Sequence, residues 1–402
     1  MRWPVRISQP GSGGGPPPPG DSLDRFAPKY LVGNTPNGDT ATTTGTAAGF
    51  TYFADPGDGT GIIAALAAAA TTAGDVWIRP GTYVISQNLV VPPDVAVRGA
   101  GPSTIIVGAL GTINQGLFTM RAGSSLRSMA ITHNEPTAPA VPGTSFGVVG
   151  LYEAGSVVIE DVSVTSVWSG ATNTTLNACF SVSTPAPASA AFMKCFRCSA
   201  TYEANGDNDP VSNILLPLCG YRAFDANLEL LECDSAFSQF GFGPSVLCAG
   251  SSAIAGRAAQ SLRVEGGRYT AQAIGIASQS TGGFIPQISL VGTRVRCATG
   301  FSNNSYAVVK LVGDGSHSVT GSWLKAATNA GVLIDPFGAA AGACRGQIGN
   351  NTIETAALSS AWQSNPGGAT ESYHTFIGNT YKGVIAGQTT ANDEVAHNIS
   401  LP

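Results

Sequence analysis

Carboxylates are the side chains of this sequence best suited to chemistry. A glycosidase uses two of them, about 5–5.5 Å apart for retention of the anomeric configuration and about 6.5–9.5 Å apart for inversion. Asp161 and Asp234 occupy matching places in the alternating runs "VVIEDVSV" and "LLECDSAF". Arg197 takes the same place in "MKCFRCSA", which lies between those runs. This trio is either a pair of catalytic acids or a salt-bridged surface column.

The arginine decides between these two interpretations. If the three residues stack, the two aspartates lie about 9–10 Å apart, which is near the inverting range. Arg197 then lies between Asp161 and Asp234 and pairs with both. Its positive charge lowers the aspartate pKa values, whereas a general acid needs a raised pKa. The sequence therefore favours the salt-bridged column.

A second acidic group lies in the run "EANGDNDP" and comprises Glu203, Asp207 and Asp209. A protruding acidic loop can bind Ca²⁺ or sugar hydroxyls. Calcium needs about six to eight oxygen ligands, and the run lacks the D-x-[DN]-x-[DN]-G order of a calcium loop. We favour a solvated turn and expect neither a metal nor a cofactor.

Thiols and imidazoles give no recognisable site. Cys195 and Cys198 form a CxxC, but no second CxxC or Cys/His pair with zinc spacing accompanies it. In the repeat alignment both take positions that point inward, which predicts core thiols. The four histidines fall in separate repeats and show no order typical of a catalytic triad or of a metalloprotease.

Aromatic residues form the last candidate group, because ring faces stack on sugars. The candidates for glycan binding are Trp168, Tyr202, Tyr221 and Phe240. The same residues also suit core packing, or a subunit interface in a trimer. The sequence leaves these alternatives open.

Short strands must position all of these residues. The stretch "TGIIAALAAAATTAG" predicts one short helix, Thr60–Ala70, and after Gly74 the apolar period changes to two. Similar alternating runs then recur in steps of 19 to 37 residues to the end of the chain. Repeats of this kind stack and bury their apolar faces on their neighbours. With no helices between the strands, the pattern predicts an all-β, single-stranded parallel β-helix of about ten coils.

Residues 1–50 differ in composition from the rest of the chain. The run "GSGGGPPPPG" fits neither a helix nor a central strand. This segment is either a flexible tail or an arm that lies on a partner. The side chains that can anchor such an arm are Trp3, Pro16, Pro17, Phe26, Tyr30 and Leu31. We divide the chain into an arm and linker, 1–50, and the helix with the stacked strands, 51–402.

Composition and charge exclude several classes of protein. Only 11% of the 402 residues are charged, and the net charge is −5, which argues against disorder and against a general nucleic-acid surface. No apolar run approaches a membrane span of about 20 residues. The N-terminal residues lack the apolar segment of a signal peptide, so we expect synthesis in the cytoplasm with free thiols.

The block "GDVWIRPGTYVISQNLVVPPDVAVRGAGPSTIIVG" resembles the first coils of the pectin-lyase-like right-handed β-helix superfamily. The runs that match are Gly74–Ile85 and Val95–Gly101, with Arg79 in place of a proline and Val97 at an Ile/Leu position. This superfamily includes polysaccharide lyases, glycoside hydrolases and bacteriophage tailspikes. The resemblance implies a right-handed helix and leaves the activity open.

A β-helix made in the cytoplasm with a Pro/Gly-rich arm looks most similar to the phage group. That resemblance implies a structural virion protein, either a head decoration spike or fibre or a tail spike, which docks through residues 1–50. It further implies a homotrimer and contact with host surface glycans during attachment. The alternative is a tailspike depolymerase, a hydrolase or lyase acting on host surface polysaccharide.

Overall fold

The structure is a computed structural model of the chain. It describes residues 29–37, 50–72, 74–110, 116–134, 146–168, 177–183, 190–204, 218–238, 244–250, 260–271, 274–280, 286–297, 307–312, 315–326, 330–335, 343–355, 360–364, 371–386 and 394–400.

Stacked parallel strands form three faces around one core. Strands are numbered in chain order. Face 1 contains β1 (Tyr30–Asn34), β2 (Thr51–Asp55), β3 (Val76–Ile78), β6 (Ala96–Arg98), the first half of β9 (Ser125–Asn134), the first half of β11 (Gly155–Trp168), β13 (Ala191–Phe196), β16 (Asn227–Leu231), β19 (Gln260–Glu265), β22 (Pro286–Val291), β25 (Gly315–Thr320), β28 (Ala343–Gly349), β31 (Glu371–Ile377) and β34 (Glu394–Ala396).

Face 2 follows face 1 around a sharp corner. It contains β4 (Gly81–Ile85), β7 (Thr104–Gly108), the second halves of β9 and β11, β14 (Ser199–Ala204), β17 (Asp234–Ser238), β20 (Arg268–Ala271), β23 (Arg294–Cys297), β26 (Trp323–Ala326), β29 (Thr352–Glu354), β32 (Thr380–Lys382) and β35 (Ile399–Ser400). Faces 1 and 2 form one 24-stranded sheet, because β9 and β11 run through the corner.

Face 3 closes each coil. It contains β5 (Leu89–Val91), β8 (Phe118–Met120), β10 (Phe146–Leu151), β12 (Asn177–Ser183), β15 (Leu218–Phe224), β18 (Val246–Gly250), β21 (Ile276–Ser280), β24 (Ala307–Val312), β27 (Ala330–Asp335), β30 (Ser360–Ser364) and β33 (Val384–Ala386). This 11-stranded sheet has one strand per coil. The fold is a right-handed parallel β-helix, as the sequence predicts, with one coil more than the ten expected and a partial coil after it.

Alternation explains why these short runs form strands. In β4, Gly81 and the side chains of Tyr83 and Ile85 are buried, while Thr82 and Val84 face outward. The same period of two continues coil after coil and builds one core inside the three faces. Every coil thereby buries its apolar positions on the coils before and after it.

Helix α1 (Thr60–Thr72) covers the first coil, two residues longer than predicted. Ile62 and Leu66 pack into the core from above. The buried carboxylate of Asp55 accepts hydrogen bonds from the N–H groups of Gly59 (3.0 Å) and Ile62 (3.2 Å). This carboxylate satisfies donors that the start of a helix leaves free.

The start of the stack lies earlier than the sequence suggests. Strand β1 pairs in parallel with both β2 and β3, so residues 30–34 belong to face 1. The hydroxyl of Tyr30 contacts Thr72 Oγ1, and Lys29 Nζ donates to Thr72 O (2.6 Å). We therefore place the beginning of the stack at Tyr30 rather than near residue 51.

From β9 onward, the corner between faces 1 and 2 uses a left-handed residue in each coil. Among the described residues this position has a positive φ at Ser128, Asp161, Arg197, Glu232, Gly266, Gly292, Gly321, Asn350, Gly378 and His397. The asparagines Asn351, Asn379 and Asn398 stand one position after the left-handed residue. Their side chains point into the helix.

The residue after the corner forms an inner column. It is apolar or a thiol in the first coils and polar in the last ones: Met129, Val162, Cys198, Cys233, Gly267, Thr293, Ser322, Asn351, Asn379 and Asn398. A Cβ atom at Gly267, where φ is 76°, would lie 1.9 Å from the carbonyl oxygen of Cys233, so only glycine fits this position.

No helix within the described part of the chain is long and apolar enough to cross a membrane.

Candidate functional site

Asp161 and Arg197 form a tight ion pair at the corner. The Nε of Arg197 lies 2.7 Å from Asp161 Oδ1, and its Nη2 lies 2.7 Å from Oδ2. The same Nη2 donates to Glu160 Oε1 at 2.9 Å. Hydrogen bonds from Arg197 lower the pKa of Asp161 below its ordinary value. Asp161 is therefore held ionised, which suits a structural pair and not a proton donor.

Asp234 does not belong to this column, which corrects the sequence alignment. It lies opposite Ser199 on face 2, two positions beyond the corner. The corner residue of its coil is Glu232, with a φ of 54°. Asp234 Oδ1 instead accepts the backbone N–H of Arg268 at 2.8 Å. Asp161 and Asp234 thus do not face each other across Arg197. The two carboxylates therefore do not form the pair of catalytic acids considered from the sequence.

Other outward carboxylates are also paired with bases of neighbouring coils. Glu229 lies 3.1 Å from both Lys194 Nζ and Arg263 Nη1. Glu354 accepts from Lys325 Nζ (2.8 Å) and from Trp323 Nε1 (2.9 Å), and these two bonds lower its pKa. Of the column expected from the sequence, the structure contains the Asp161–Arg197 pair and not Asp234. The pairs of Glu229 and Glu354 are separate and lie on faces 1 and 2.

Two predicted glycan-binding aromatics lie inside the helix. Tyr202 is 1% exposed and Tyr221 is fully buried. The ring of Tyr221 stacks on Phe180 with centroids 5.0 Å apart, and its hydroxyl donates to Cys198 O at 2.9 Å. Neither ring can stack on a glycan, so this prediction is wrong for both. The side chain of Trp168 and residue Phe240 lie outside what the structure describes.

The remaining predicted sites are only partly described. The backbone of Glu203 belongs to β14 on face 2. The side chain of Glu203, together with Asp207 and Asp209, lies outside the described residues, as do the docking residues Trp3, Pro16, Pro17 and Phe26. Tyr30, predicted to dock on a partner, is 3% exposed, and its ring is used within the fold. Leu31 is half-buried on the outer side of face 1.

The CxxC motif belongs to the core. Cys195 lies opposite Ile159, as the repeat alignment predicts, and Cys198 follows the corner and points inward. Burial raises the pKa of both thiols. Across the residues that the structure describes, no group of three or more His, Cys, Asp or Glu side chains is arranged to hold a metal ion.

A groove on face 1 was missed in the sequence, and its exposed surface is more apolar than polar. It crosses β19, β22, β25, β28 and β31 and has a volume of about 810 Å³. Hydroxyl, amide and guanidinium groups line it, from Ser261, Arg263, Gln287, Ser318, Gln347 and Thr375. The sequence signal for this groove is the alternation in runs such as "PQISLV". Successive side chains of a strand point to opposite sides, which separates the polar outward residues from the buried ones.

Comparison with known proteins gives a likeness in fold. No family model matches the chain, and no curated protein matches it.

Several solved structures do match. The A-module of the mannuronan C-5 epimerase AlgE6 of Azotobacter vinelandii is 15% identical, with a TM-score of 0.47 over 86% of this chain and 97% of that one. DFA-IIIase from Arthrobacter chlorophenolicus A6 is 11% identical, with a TM-score of 0.42 over 92% and 99%. ORF18 of Geobacillus virus E2 is 12% identical, with a TM-score of 0.40 over 86% and 59%. The shared feature is the parallel β-helix.

These neighbours thus include a phage protein and enzymes that act on glycans. At these identities and TM-scores the likeness concerns the fold alone. The chemistry of this chain must be argued from its own side chains. In the described part, these are paired acids, buried thiols and a groove rich in hydrogen-bonding groups.

Proposed function

We propose that this protein is a structural component of a bacteriophage particle, a β-helical spike or fibre on the head or the tail. It attaches through the residues that precede β1 and assembles as a homotrimer. The observation that carries the proposal is the continuous stack, in which several outward acids pair with bases of neighbouring coils. Such a body transmits load and presents a long surface.

Hydrogen bonding along the stack supports a mechanical role. Parallel strands satisfy their backbone groups coil to coil from β3 to β35. Inside, Asn351 Nδ2 donates to Asn379 Oδ1 (3.0 Å), and Asn379 Nδ2 donates to Asn398 Oδ1 (3.1 Å). Local opening of one coil must break bonds to both of its neighbours, so the stack resists proteolysis.

The paired acids argue against the alternative of a depolymerase. A hydrolase needs one carboxyl group with a raised pKa beside a second one. In the described residues, Asp161 and Glu354 have lowered pKa values because of Arg197 and Lys325. We expect the purified protein to leave host surface polysaccharide at its original chain length. A fall in chain length would establish the depolymerase instead.

Contact with host glycans is the second part of the proposal. The groove on face 1 offers hydroxyl and amide groups at matching heights in successive coils, as in the aligned trio Ser261, Gln287 and Ser316. Such groups hydrogen-bond to sugar hydroxyls without cleaving a bond. The test is binding without turnover when host surface polysaccharide is added to the protein.

Detection on the particle tests the main proposal. Antibody–gold labelling and quantitative mass spectrometry of purified particles should find the protein at a fixed copy number, at one place on the head or the tail. Its absence from purified particles would contradict the proposal.

A further inference from the structure

Many basic side chains on the outer faces share one pattern of pairing. They pair with acids of the adjacent coil, as in Lys194–Glu229 (3.1 Å), Arg121–Glu153 (2.6 Å) and Lys325–Glu354 (2.8 Å). With 25 acids and 20 bases in the chain, acids are not scarce. A base without such a partner is therefore a departure from the pattern.

Three arginines on face 2 depart from it. Arg268 on β20 lies directly opposite Arg294 on β23, and Arg296 lies two residues further along β23. All three are exposed, while Tyr269 and Val295 between them point inward. The ion pairs found among the described residues include none of these three guanidinium groups. We call Arg268, Arg294 and Arg296 the arginine patch.

The arginine patch is unfavourable for an isolated protein. Like charges directly opposite each other on neighbouring strands, about 4.8 Å apart, repel. Arginine remains charged at every accessible pH, so the repulsion is not relieved by loss of a proton. A bound anion between the guanidinium groups relieves it, and the planar fork of arginine matches a carboxylate with two hydrogen bonds.

An aromatic ring continues the patch. Trp323 on β26 lies opposite Arg294, so Arg268, Arg294 and Trp323 form one straight outer column. The Trp323 ring is partly exposed and is held by its Nε1 hydrogen bond to Glu354 (2.9 Å). Lys325 Nζ lies over this ring, 5.7 Å from its centroid. Cations that pair with carboxylates, followed by a partly exposed ring that contacts a sugar, suit a chain of acidic sugars.

The shape of face 2 favours a sugar chain over duplex nucleic acid. Reading duplex DNA requires a helix or ribbon that enters a groove, whereas the patch lies on the flat side of stacked strands. An extended polysaccharide instead runs along such a surface, with a sugar unit similar in length to the spacing of the coils.

We propose that the arginine patch, with Trp323, binds a carboxylate-bearing polysaccharide along face 2. This inference goes beyond the structural role, because a shaft needs no such patch. It also differs from the groove on face 1, whose lining is mostly uncharged. Binding here is non-catalytic. The column holds one acid, Asp234 opposite Arg268, whose Oδ1 accepts the Arg268 backbone N–H, and the sugar carboxylates pair with the guanidinium groups.

The test uses the full-length protein and oligomers of polygalacturonate, with dextran of equal length as the neutral control. We expect the protein to bind polygalacturonate and not dextran, and binding to weaken as salt is raised. The double variant Arg294→Gln/Arg296→Gln should raise Kd about tenfold or more. The matched control is Arg127→Gln, which removes an exposed arginine that is paired with Glu160 at 3.6 Å, and it should leave Kd unchanged.

Thermal unfolding supplies a second readout. Without ligand, the double variant should melt at the wild-type temperature or above it, because repulsion is removed. Saturating polygalacturonate should raise the melting temperature of the wild type and not that of the double variant. Equal binding by the wild type and the double variant, or no preference over dextran, would overturn the proposal. Duplex DNA that binds as tightly as polygalacturonate at the same salt would overturn it in favour of a nucleic-acid surface.

Discussion

The side chain of Asn379 joins two coils of the stack. Its Oδ1 accepts from both the backbone N–H and the Nδ2 of Asn351, each at 3.0 Å, and its own Nδ2 donates to Ile348 O at 2.9 Å. Asn379 is fully buried. The amide therefore replaces backbone partners that the corner cannot provide.

Replacing this amide should weaken the C-terminal half of the stack. Asn379→Ala removes the acceptor of the Asn351 backbone N–H and of one Asn351 Nδ2 hydrogen bond, and it removes the donor to Ile348 O. Asn351 Nδ2 keeps its bond to Val319 O, and each buried group that loses its partner costs about 1–3 kcal/mol. We expect a loss of about 3 kcal/mol in the free energy of unfolding. Chemical denaturation monitored by circular dichroism measures it.

The neighbouring residue provides the control for this variant. Thr380 directly follows Asn379 and points to the outer side of face 2, so Thr380→Ala should change the free energy of unfolding by less than about 0.5 kcal/mol. Equal effects of the two substitutions would show that the inner asparagine column does not stabilise the corner.

His133 makes the fold sensitive to acid. It is 5% exposed, and burial lowers its pKa to about 4. The unfolded chain binds the proton near pH 6.5, so stability is present above that pH and is lost as the pH falls from about 6.5 to about 4. The loss should reach about 3 kcal/mol.

The variant His133→Phe isolates this contribution. We expect its free energy of unfolding to fall less than that of the wild type between pH 7 and pH 4.5, when both are measured by denaturation at constant salt. Parallel pH profiles for the two proteins would contradict the assignment to His133.

Thiol reactivity tests the interior of the first coils. The described cysteines are all buried: Cys179, Cys195, Cys198, Cys219, Cys233, Cys248 and Cys297. Burial raises the pKa of Cys219, Cys248 and Cys297 to about 12, so they remain protonated and unreactive. In a Cys344→Ala variant, which retains seven of the eight cysteines, we expect an aromatic disulfide reagent at pH 8 to label none in the native state and all seven in denaturant. Fast labelling of the native variant would place a thiol on the surface.

The fold could be predicted from the sequence because the alternation of apolar and polar residues, and the glycines at the corners, are local features of the chain. Gly81, Tyr83 and Ile85 are buried where the period of two places them. The interior position of Cys195 follows from the same alignment. Such patterns depend on neighbouring residues only, so no tertiary information is needed.

The errors concern register, which short runs do not determine. The alternating runs alone align Asp234 with Arg197 as polar corner residues, yet Cys198 and Cys233 are the matching inward residues. Matching the triplets "RCS" and "ECD" by their cysteines would have placed Glu232 at the corner. The burial of Tyr202 follows from the same parity, since it stands four residues after Cys198.

The arginine patch and the groove could not be predicted from single runs. Arg268 and Arg294 become neighbours only through the pairing of β20 with β23. The number of residues between these strands does not reveal that register. Sites built from several coils therefore need the structure.

The central claim is that the residues before β1 attach a self-sufficient stack to a phage particle, and removing them tests it most directly. The deletion should end at residue 28, because Lys29 and Tyr30 bond to α1. We predict that the protein lacking residues 1–28 keeps the circular dichroism spectrum and melting temperature of the full-length protein but is absent from purified particles by quantitative mass spectrometry. Incorporation of the truncated, folded protein at the full-length copy number would contradict the account.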